Sequence, residues 1–411
     1  MKKFLDILMF GVFFLYPILF IGMDNRYFIK VLNATRFVES VILPVFIVWL
    51  ALNWRRYEVR VPLTFLAPFV PIIIAAAILS VYHHRSIEMN ILPKLVVFCL
   101  ASGALVAVYK KRVFYIINSF FCWGALCWMA SLVIRDGISL YLNNFHHLVN
   151  QNEVYMMVVL MSGVSIFASQ EVKGKEQFFH LLSGLAGLGC VVLTQARGAL
   201  VDILVLFFVF FFSSNLSLKC KLKVLLACLL MCAMLVYLTD GFNGRLGLIL
   251  SEITLWFDGK GQATSIGTRL SLWYAGIVDI FPHFPLMGTG VREGHLGDLA
   301  QLVSLTERPG WTIGMQPHFH NDFVQMAVKG GILYVGAGIA SLILITLQYR
   351  SHSIVIWLIA CAIASGLTEH FYFQPRVFIF FVMIFTLVVT GIYKERREKL
   401  LSAQSPGDLT L

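Results

Sequence analysis

Charge is what this chain of 411 residues has least of: Asp, Glu, Lys and Arg make up 13% of it, against 59% hydrophobic residues. Soluble proteins carry about 25% charged residues, so this composition does not build an ordinary water-facing surface. Acidic residues are the scarcer half, 22 in all, and no Asp-x-Asp pair occurs. A carboxylate site for a divalent metal is therefore not indicated. The eight cysteines fall in apolar runs or at Cys220, next to Lys219 and Lys221. That placement gives no disulfide framework. Cys122 and Cys127 have no metal-binding spacing and read as small packing residues. No small-x-small cleavage site follows the first apolar run, so Met1-Lys2-Lys3 is read as opening an uncleaved span. No low-complexity tract and no pair of matching halves is visible.

Apolar runs, by contrast, are abundant, and many have the roughly 17 to 25 residues that a bilayer requires. Backbone polar groups must close their hydrogen bonds internally in lipid, which makes such runs helices. The predicted fold is an all-α polytopic membrane protein of about twelve spans. They are expected near residues 5–23, 38–52, 63–82, 91–109, 113–134, 154–168, 178–195, 199–212, 222–239, 331–347, 353–366 and 377–393. Residues 1–239 then hold spans one to nine, 240–330 a large helical outer loop, 331–393 spans ten to twelve, and 394–411 a tail. Lys94, beside Pro93, is read as the only charge well inside a span.

Basic residues orient the bundle. Arg55, Arg56 and Arg60, then Lys110, Lys111 and Arg112, then Lys173 and Lys175, then Lys219 and Lys221 occupy loops of one parity. Lys394, Arg396, Arg397 and Lys399 follow the last span. The positive-inside rule puts these loops and both termini in the cytoplasm. The net charge of +10 thus reports orientation, and nucleic-acid binding, which needs a basic face on a soluble module, is not expected.

The outer loop of about ninety residues is too long for a connector and reads as a functional unit. Amphipathic helices are expected at 245–257, 268–281 and 295–306, and Gly288-Thr289-Gly290 after Pro285 as a tight loop. Three residues then share one side of the membrane. Arg197 ends the seventh span, Arg269 lies in the outer loop, and His320 opens the tenth helix, with Asn321 or His320 at its N-cap. Val324, Ala327 and Gly331 follow His320 on one helical face, and small residues there permit close approach by a helix or ligand. His318 reads mainly as support. Arg376, beside Pro375, is a weaker phosphate candidate or an interfacial anchor, and Glu369 and His370 are plausible acceptor-site residues.

These parts suit group transfer from a lipid pyrophosphate. The arginine fork binds phosphate oxygens in pairs and keeps its charge. Two such groups can hold a diphosphate and stabilise it as it leaves. A histidine titrating near neutrality can take the proton of an attacking hydroxyl.

At these residues the chain resembles the O-antigen ligase family. The pattern is His320-Asn321, nine residues, Gly331, two residues, then Tyr334. Thr194-Gln195-Ala196-Arg197, Ser265-Ile266-Gly267-Thr268-Arg269 with Trp273, and Pro285-Leu286-Met287-Gly288-Thr289-Gly290 are similar to the family's other sites. The resemblance implies a fold like the type C glycosyltransferases and a site on the periplasmic side of a Gram-negative inner membrane. It implies inverting transfer, without metal or cofactor, of O-antigen glycan from undecaprenyl pyrophosphate to a sugar hydroxyl of lipid A-core. His320, Arg197 and Arg269 would be catalytic. Arg197, Arg269 and Arg376 would hold the donor pyrophosphate, and His318, Asn321, Gly331 and Tyr334 would support them. Donor, acceptor and membrane lipids would be the partners. An O-antigen polymerase or a protein O-oligosaccharyltransferase shares these features, and the residues do not choose among acceptors. A transporter or flippase fits less well, since repeat halves and a midplane site are its usual marks.

Overall fold

The computed structural model describes residues 67–84, 111–148, 151–194, 196–213, 245–261, 264–290, 318–369, 371–373 and 375–404, with short pieces of 217–230. These residues form helices and no strand. A 3-10 turn, Ala67–Phe69, leads into α1 (Val70–Tyr82), where Pro71 takes the early helical position that needs no N–H partner. Then come α2 (Lys111–Leu148), α3 (Gln151–Ala168), α4 (Lys175–Leu193) and α5 (Arg197–Ser213). Two shorter helices follow, α6 (Arg245–Phe257) and α7 (Ser265–Tyr274). The last helices are α8 (Asp322–Tyr349), α9 (Ser353–Thr368) and α10 (Pro375–Gln404).

Length and composition make three described helical stretches able to cross a membrane: Lys111–Ser131 within α2, all of α4, and all of α8. α1, α3, α5 and α9 are apolar but shorter. Leu204, Phe208 and Phe212 are exposed at four-residue intervals along α5. Such an apolar stripe on the outside of a helix suits lipid rather than water. Predicted spans one, two and four, and the amphipathic stretch at 295–306, lie outside the described residues, as does Lys94.

Several boundaries differ from expectation. Arg197 does not end a span: α4 stops at Leu193, and Arg197 is the first residue of α5. α2 continues past residue 134 to Leu148, and α10 continues past residue 393 to Gln404. The hydrophobic run ends earlier than the helix in both cases, because a helix leaving the bilayer can exchange apolar for polar residues without breaking. Asp202 also corrects the reading of intramembrane charge. It is fully buried in the second turn of α5, inside the apolar run.

Polar bonds and small residues join the spans. Asn118 Nδ2 donates to Met161 O at 2.9 Å and to Ser165 Oγ at 2.6 Å, linking α2 to α3. Ser119 Oγ lies 2.6 Å from His180 Nδ1, linking α2 to α4. The buried Trp357 indole of α9 packs against α3 at Gly163, where any side chain would collide with it. This is the close packing that drives association where lipid removes the hydrophobic incentive. At one end of the bundle, Lys111 pairs with Glu395 at 2.7 Å and with Glu171 at 2.5 Å, and Arg396 lies 3.1 Å from His352. The opposite ends of α8 and α9 carry His320 and Glu369.

Candidate functional site

α7 and the start of α8 are joined by their own small core. Leu272, Ala275 and Ile280 pack on Phe319, Val324 and Val328. Thr264 caps α7 by accepting from Gly267 N at 3.1 Å, and Trp256 of α6 reaches Ser271 at 2.9 Å. After Tyr274 the helix widens into a π turn, Ala275–Ile280, with Ala275 and Gly276 buried. The result fixes Arg269, on α7, relative to the chain entering α8.

That entry is tightly specified. Phe319 is fully buried, its amide donates to Gln325 Oε1 at 3.1 Å, and its carbonyl accepts from Trp273 Nε1 at 3.0 Å. His320 follows with φ 51°, a left-handed conformation uncommon outside glycine. Asn321 is the N-cap: Oδ1 accepts from Phe323 N at 2.9 Å and Val324 N at 3.1 Å. Its Nδ2 donates to Leu367 O at 3.0 Å, satisfying a carbonyl in the last turn of α9. Asp322 Oδ2 accepts from Tyr372 N at 2.7 Å. The segment between Leu367 and Tyr372 is thus held to α8 from both sides, and Glu369 lies within it.

Glu369 joins the two predicted residues. One carboxylate oxygen bonds Arg269 Nη2, and the other lies 3.0 Å from His320 Nδ1. Glu369 is nearly buried, with 5% of its side chain exposed, while Arg269 and His320 keep 21% and 22%. Arg269 Nε is buried with no protein acceptor among the described residues. The His318 and His320 rings sit 4.1 Å apart, edge to face. A carboxylate on Nδ1 fixes the imidazole and puts its lone pair on Nε2, an arrangement suited to accepting a proton there.

Gly331 and Tyr334 act at a distance from the histidine. Gly331 breaks α8 with φ 63° and ψ −160°, a region that essentially only glycine occupies. Leu286 and Pro285 cross the break: Ile332 N donates to Pro285 O at 2.8 Å, and a Cβ on Gly331 would collide with Leu286 backbone. Thr289 N and Gly290 N donate to the carbonyls of Val328 and Lys329 at 2.8 and 3.0 Å. The close approach expected at the small residues is therefore made by the 285–290 loop, which takes up backbone groups the kink frees. Nine helical residues separate Asn321 from Gly331, so the motif's spacing is the length of one short helix between a cap and a kink. Tyr334 is fully buried, its hydroxyl 3.2 Å from that of Tyr372.

Arg197 opens α5 beside the end of α9, since a Cβ on the next residue, Gly198, would stand 3.0 Å from Thr368 Oγ1. Arg376 is the second residue of α10, whose first turn follows this same segment. His370 lies outside the described residues. Among those that are described, no group of three His, Cys, Asp or Glu could hold a metal ion.

Residues 182–337 match the sequence profile of the O-antigen ligase family. That stretch is similar to an O-antigen ligase domain. No curated protein matches the chain significantly. The O-antigen ligase match includes Arg197, Arg269, His320, Gly331 and Tyr334 but stops before Glu369. The carboxylate that ties the cluster together is therefore contributed from beyond the matched domain. Sequence reading placed Glu369 only as a possible acceptor contact. Its one local signal was an acidic residue ending an apolar span, a costly position that calls for a partner.

Proposed function

We propose that this protein transfers a completed glycan from undecaprenyl pyrophosphate to a sugar hydroxyl of lipid A-core, as an O-antigen ligase on the periplasmic face of the inner membrane. The observation that carries this reading is the Glu369 carboxylate shared between Arg269 and His320. Glu369 holds His320 Nδ1, so Nε2 takes the proton of the acceptor hydroxyl. The hydroxyl oxygen forms its bond to the anomeric carbon as the bond from that carbon to the diphosphate oxygen breaks. The electron pair leaves with the diphosphate, and attack from the opposite face inverts the anomeric centre. The proton stays on His320, where the Glu369 carboxylate offsets the imidazolium charge. Arg197 and Arg269 neutralise the departing diphosphate, with Arg376 a further contact. The Arg269 Nε hydrogen has a natural acceptor in a diphosphate oxygen. His318 and Asn321 steady His320, while Gly331 and Tyr334 steady the helix behind it. A fold of the type C glycosyltransferase kind, with residues 240–330 as the loop above the spans, suits lipid-borne substrates on both sides of the reaction.

The test is reconstitution of purified protein with undecaprenyl-pyrophosphate glycan and lipid A-core, with chelator and without ATP. Glycan-bearing lipopolysaccharide is expected, and His320→Ala is expected to abolish it while still inserting. Glycan joined to a second lipid-linked glycan would instead identify a polymerase, and glycan on protein an oligosaccharyltransferase. A divalent-ion requirement, or full activity in both His320→Ala and Arg197→Ala, would overturn the mechanism.

A further inference from the structure

One buried carboxyl has no part in the proposed transfer. Asp202 stands in the second turn of α5, fully buried in an apolar run. An acidic side chain inside a membrane helix is costly and persists where something bonds it. Ser365, in the last turn of α9, donates its hydroxyl to Asp202 Oδ2 at 2.7 Å. Several small hydroxyls in the bundle turn back on their own helices, as Ser162 does to Val158 O at 2.7 Å and Ser183 to Phe179 O at 2.7 Å, while Ser119 crosses from α2 to His180 on α4. Ser365 likewise reaches across to a second helix, and its partner there is a buried carboxyl.

The place of this bond gives it meaning. The Ser365 carbonyl accepts the amide of Glu369 at 2.8 Å, so Ser365 lies one turn below the bridging carboxylate. Asp202 lies little more than one turn from Arg197. Between the bond and the helix ends, Gly198 packs closely on Tyr155 and Thr368: a Cβ there would stand 2.4 Å from the Tyr155 hydroxyl and 3.0 Å from Thr368 Oγ1. Packing of Leu and Phe around these helices is adaptable along the helix axis, whereas a hydrogen bond fixes distance and direction.

We infer that the Asp202–Ser365 bond is a positioning contact that locks the helix opening at Arg197 in register with the helix ending at Glu369. Its functional consequence rests on the transfer reading above, because it sets the separation of the donor arginine from the Glu369–His320 pair. Misplacement by about 1 Å at such a site can cost on the order of 100-fold in rate.

The test compares wild type, Asp202→Ala, Ser365→Ala, the double variant and Asp202→Asn as full chains in nanodiscs. Transfer kinetics and amide exchange over 365–373 are read on the same samples. Each alanine variant is expected to lose about 10- to 100-fold in kcat, with both KM values nearly unchanged. The double variant should be no worse than the single ones, and Asp202→Asn, which keeps a carbonyl for Ser365, should recover most of the rate. Exchange over 365–373 should quicken with alanine and not with asparagine. Alanine variants with wild-type kcat per folded molecule, or with additive losses confined to the amount of folded protein, would overturn the inference. If wild type transfers no glycan, the functional reading fails, and exchange alone then decides whether the bond fixes Glu369: unchanged exchange in the alanine variants would refute the contact as well.

Discussion

Glu369 and His320 meet at 3.0 Å although they are 49 residues apart in the sequence and flank the ends of different helices. The pairing depends on two backbone ties that flank Glu369, from Asn321 to Leu367 O and from Tyr372 N to Asp322. Both partners on α8 directly follow the histidine. The run His320-Asn321-Asp322 therefore combines the proposed base, the helix cap that aims it and the anchor of the segment carrying its carboxylate. This accounts for the motif's compactness better than a role for the histidine alone.

Replacing Glu369 with Gln separates orientation from charge. The amide keeps the shape but cannot offset an imidazolium, and it can present the wrong group to Nδ1. Loss of comparable orienting carboxylates costs up to about 10⁴-fold, and loss of a general base typically 10²–10⁴-fold. Glu369→Gln is expected to reduce kcat by at least about 100-fold while the protein inserts normally. Steady-state kinetics on reconstituted protein measures this, and wild-type turnover by Glu369→Gln would remove the carboxylate from the mechanism.

Asn321 does two things that substitutions can split. Asn321→Ala loses the cap, worth ~1 kcal/mol, and the bond to Leu367 O, worth about 0.5–1.5 kcal/mol. Asn321→Asp keeps an oxygen for Phe323 N and Val324 N but faces the Leu367 carbonyl with a second acceptor. Thermal unfolding in detergent should show both variants destabilised, and transfer by Asn321→Asp should fall because the Glu369 segment loosens. If Asn321→Asp is as active as wild type, the tie to Leu367 does not position the site.

Reading the sequence located the cluster's two ends but not its middle. Arg269 and His320 were legible because their side chains stand in short motifs, and the tight loop at 285–290 because its glycines announce it. Glu369 was weakly legible, since its partners come from two distant segments and no local spacing encodes the pairing. At Gly331, where small residues on one face suggested approach by a helix or a ligand, the neighbour is the 285–290 backbone. Helix ends at Leu148 and Gln404 were illegible to hydrophobicity, which reports the bilayer and not the helix. Asp202 shows the reverse failure, an isolated charge whose partner on α9 only the fold supplies.

Gly331→Ala should be among the most damaging single-methyl changes in the chain. The residue must hold φ 63° and ψ −160°, and its Cβ would collide with Leu286 backbone, which a side-chain shift cannot relieve. The conformation alone costs of order 1–3 kcal/mol for a residue with a Cβ, and relief of the clash requires displacing the 285–290 loop. Expected outcomes are a fall of several degrees in unfolding temperature and faster amide exchange across 285–290. Unaltered exchange in that loop would show that the kink and the loop are not mutually dependent.

His352 gives the folded protein a definite pH dependence at the opposite end of the bundle. It caps the start of α9, and burial first, then the neighbouring Arg396, lowers its pKa below the ordinary histidine value. Lys111 adds to the lowering, and Glu171 and Glu395 oppose it. Arg396 Nη2, 3.1 Å away, can donate to His352 Nε2 only while that nitrogen is unprotonated. The unfolded chain therefore binds this proton more readily than the folded one, so stability rises with pH through this window. Below about 6.5, the ordinary histidine value, stability is lost as pH falls, and the loss levels off once the folded protein also protonates. Unfolding temperatures measured between pH 5 and pH 8 in wild type and His352→Gln test this. The glutamine variant, which can still accept from Arg396 but does not titrate, should show a shallower decline on the acid side. An equal decline in both proteins would assign the acid sensitivity to other groups.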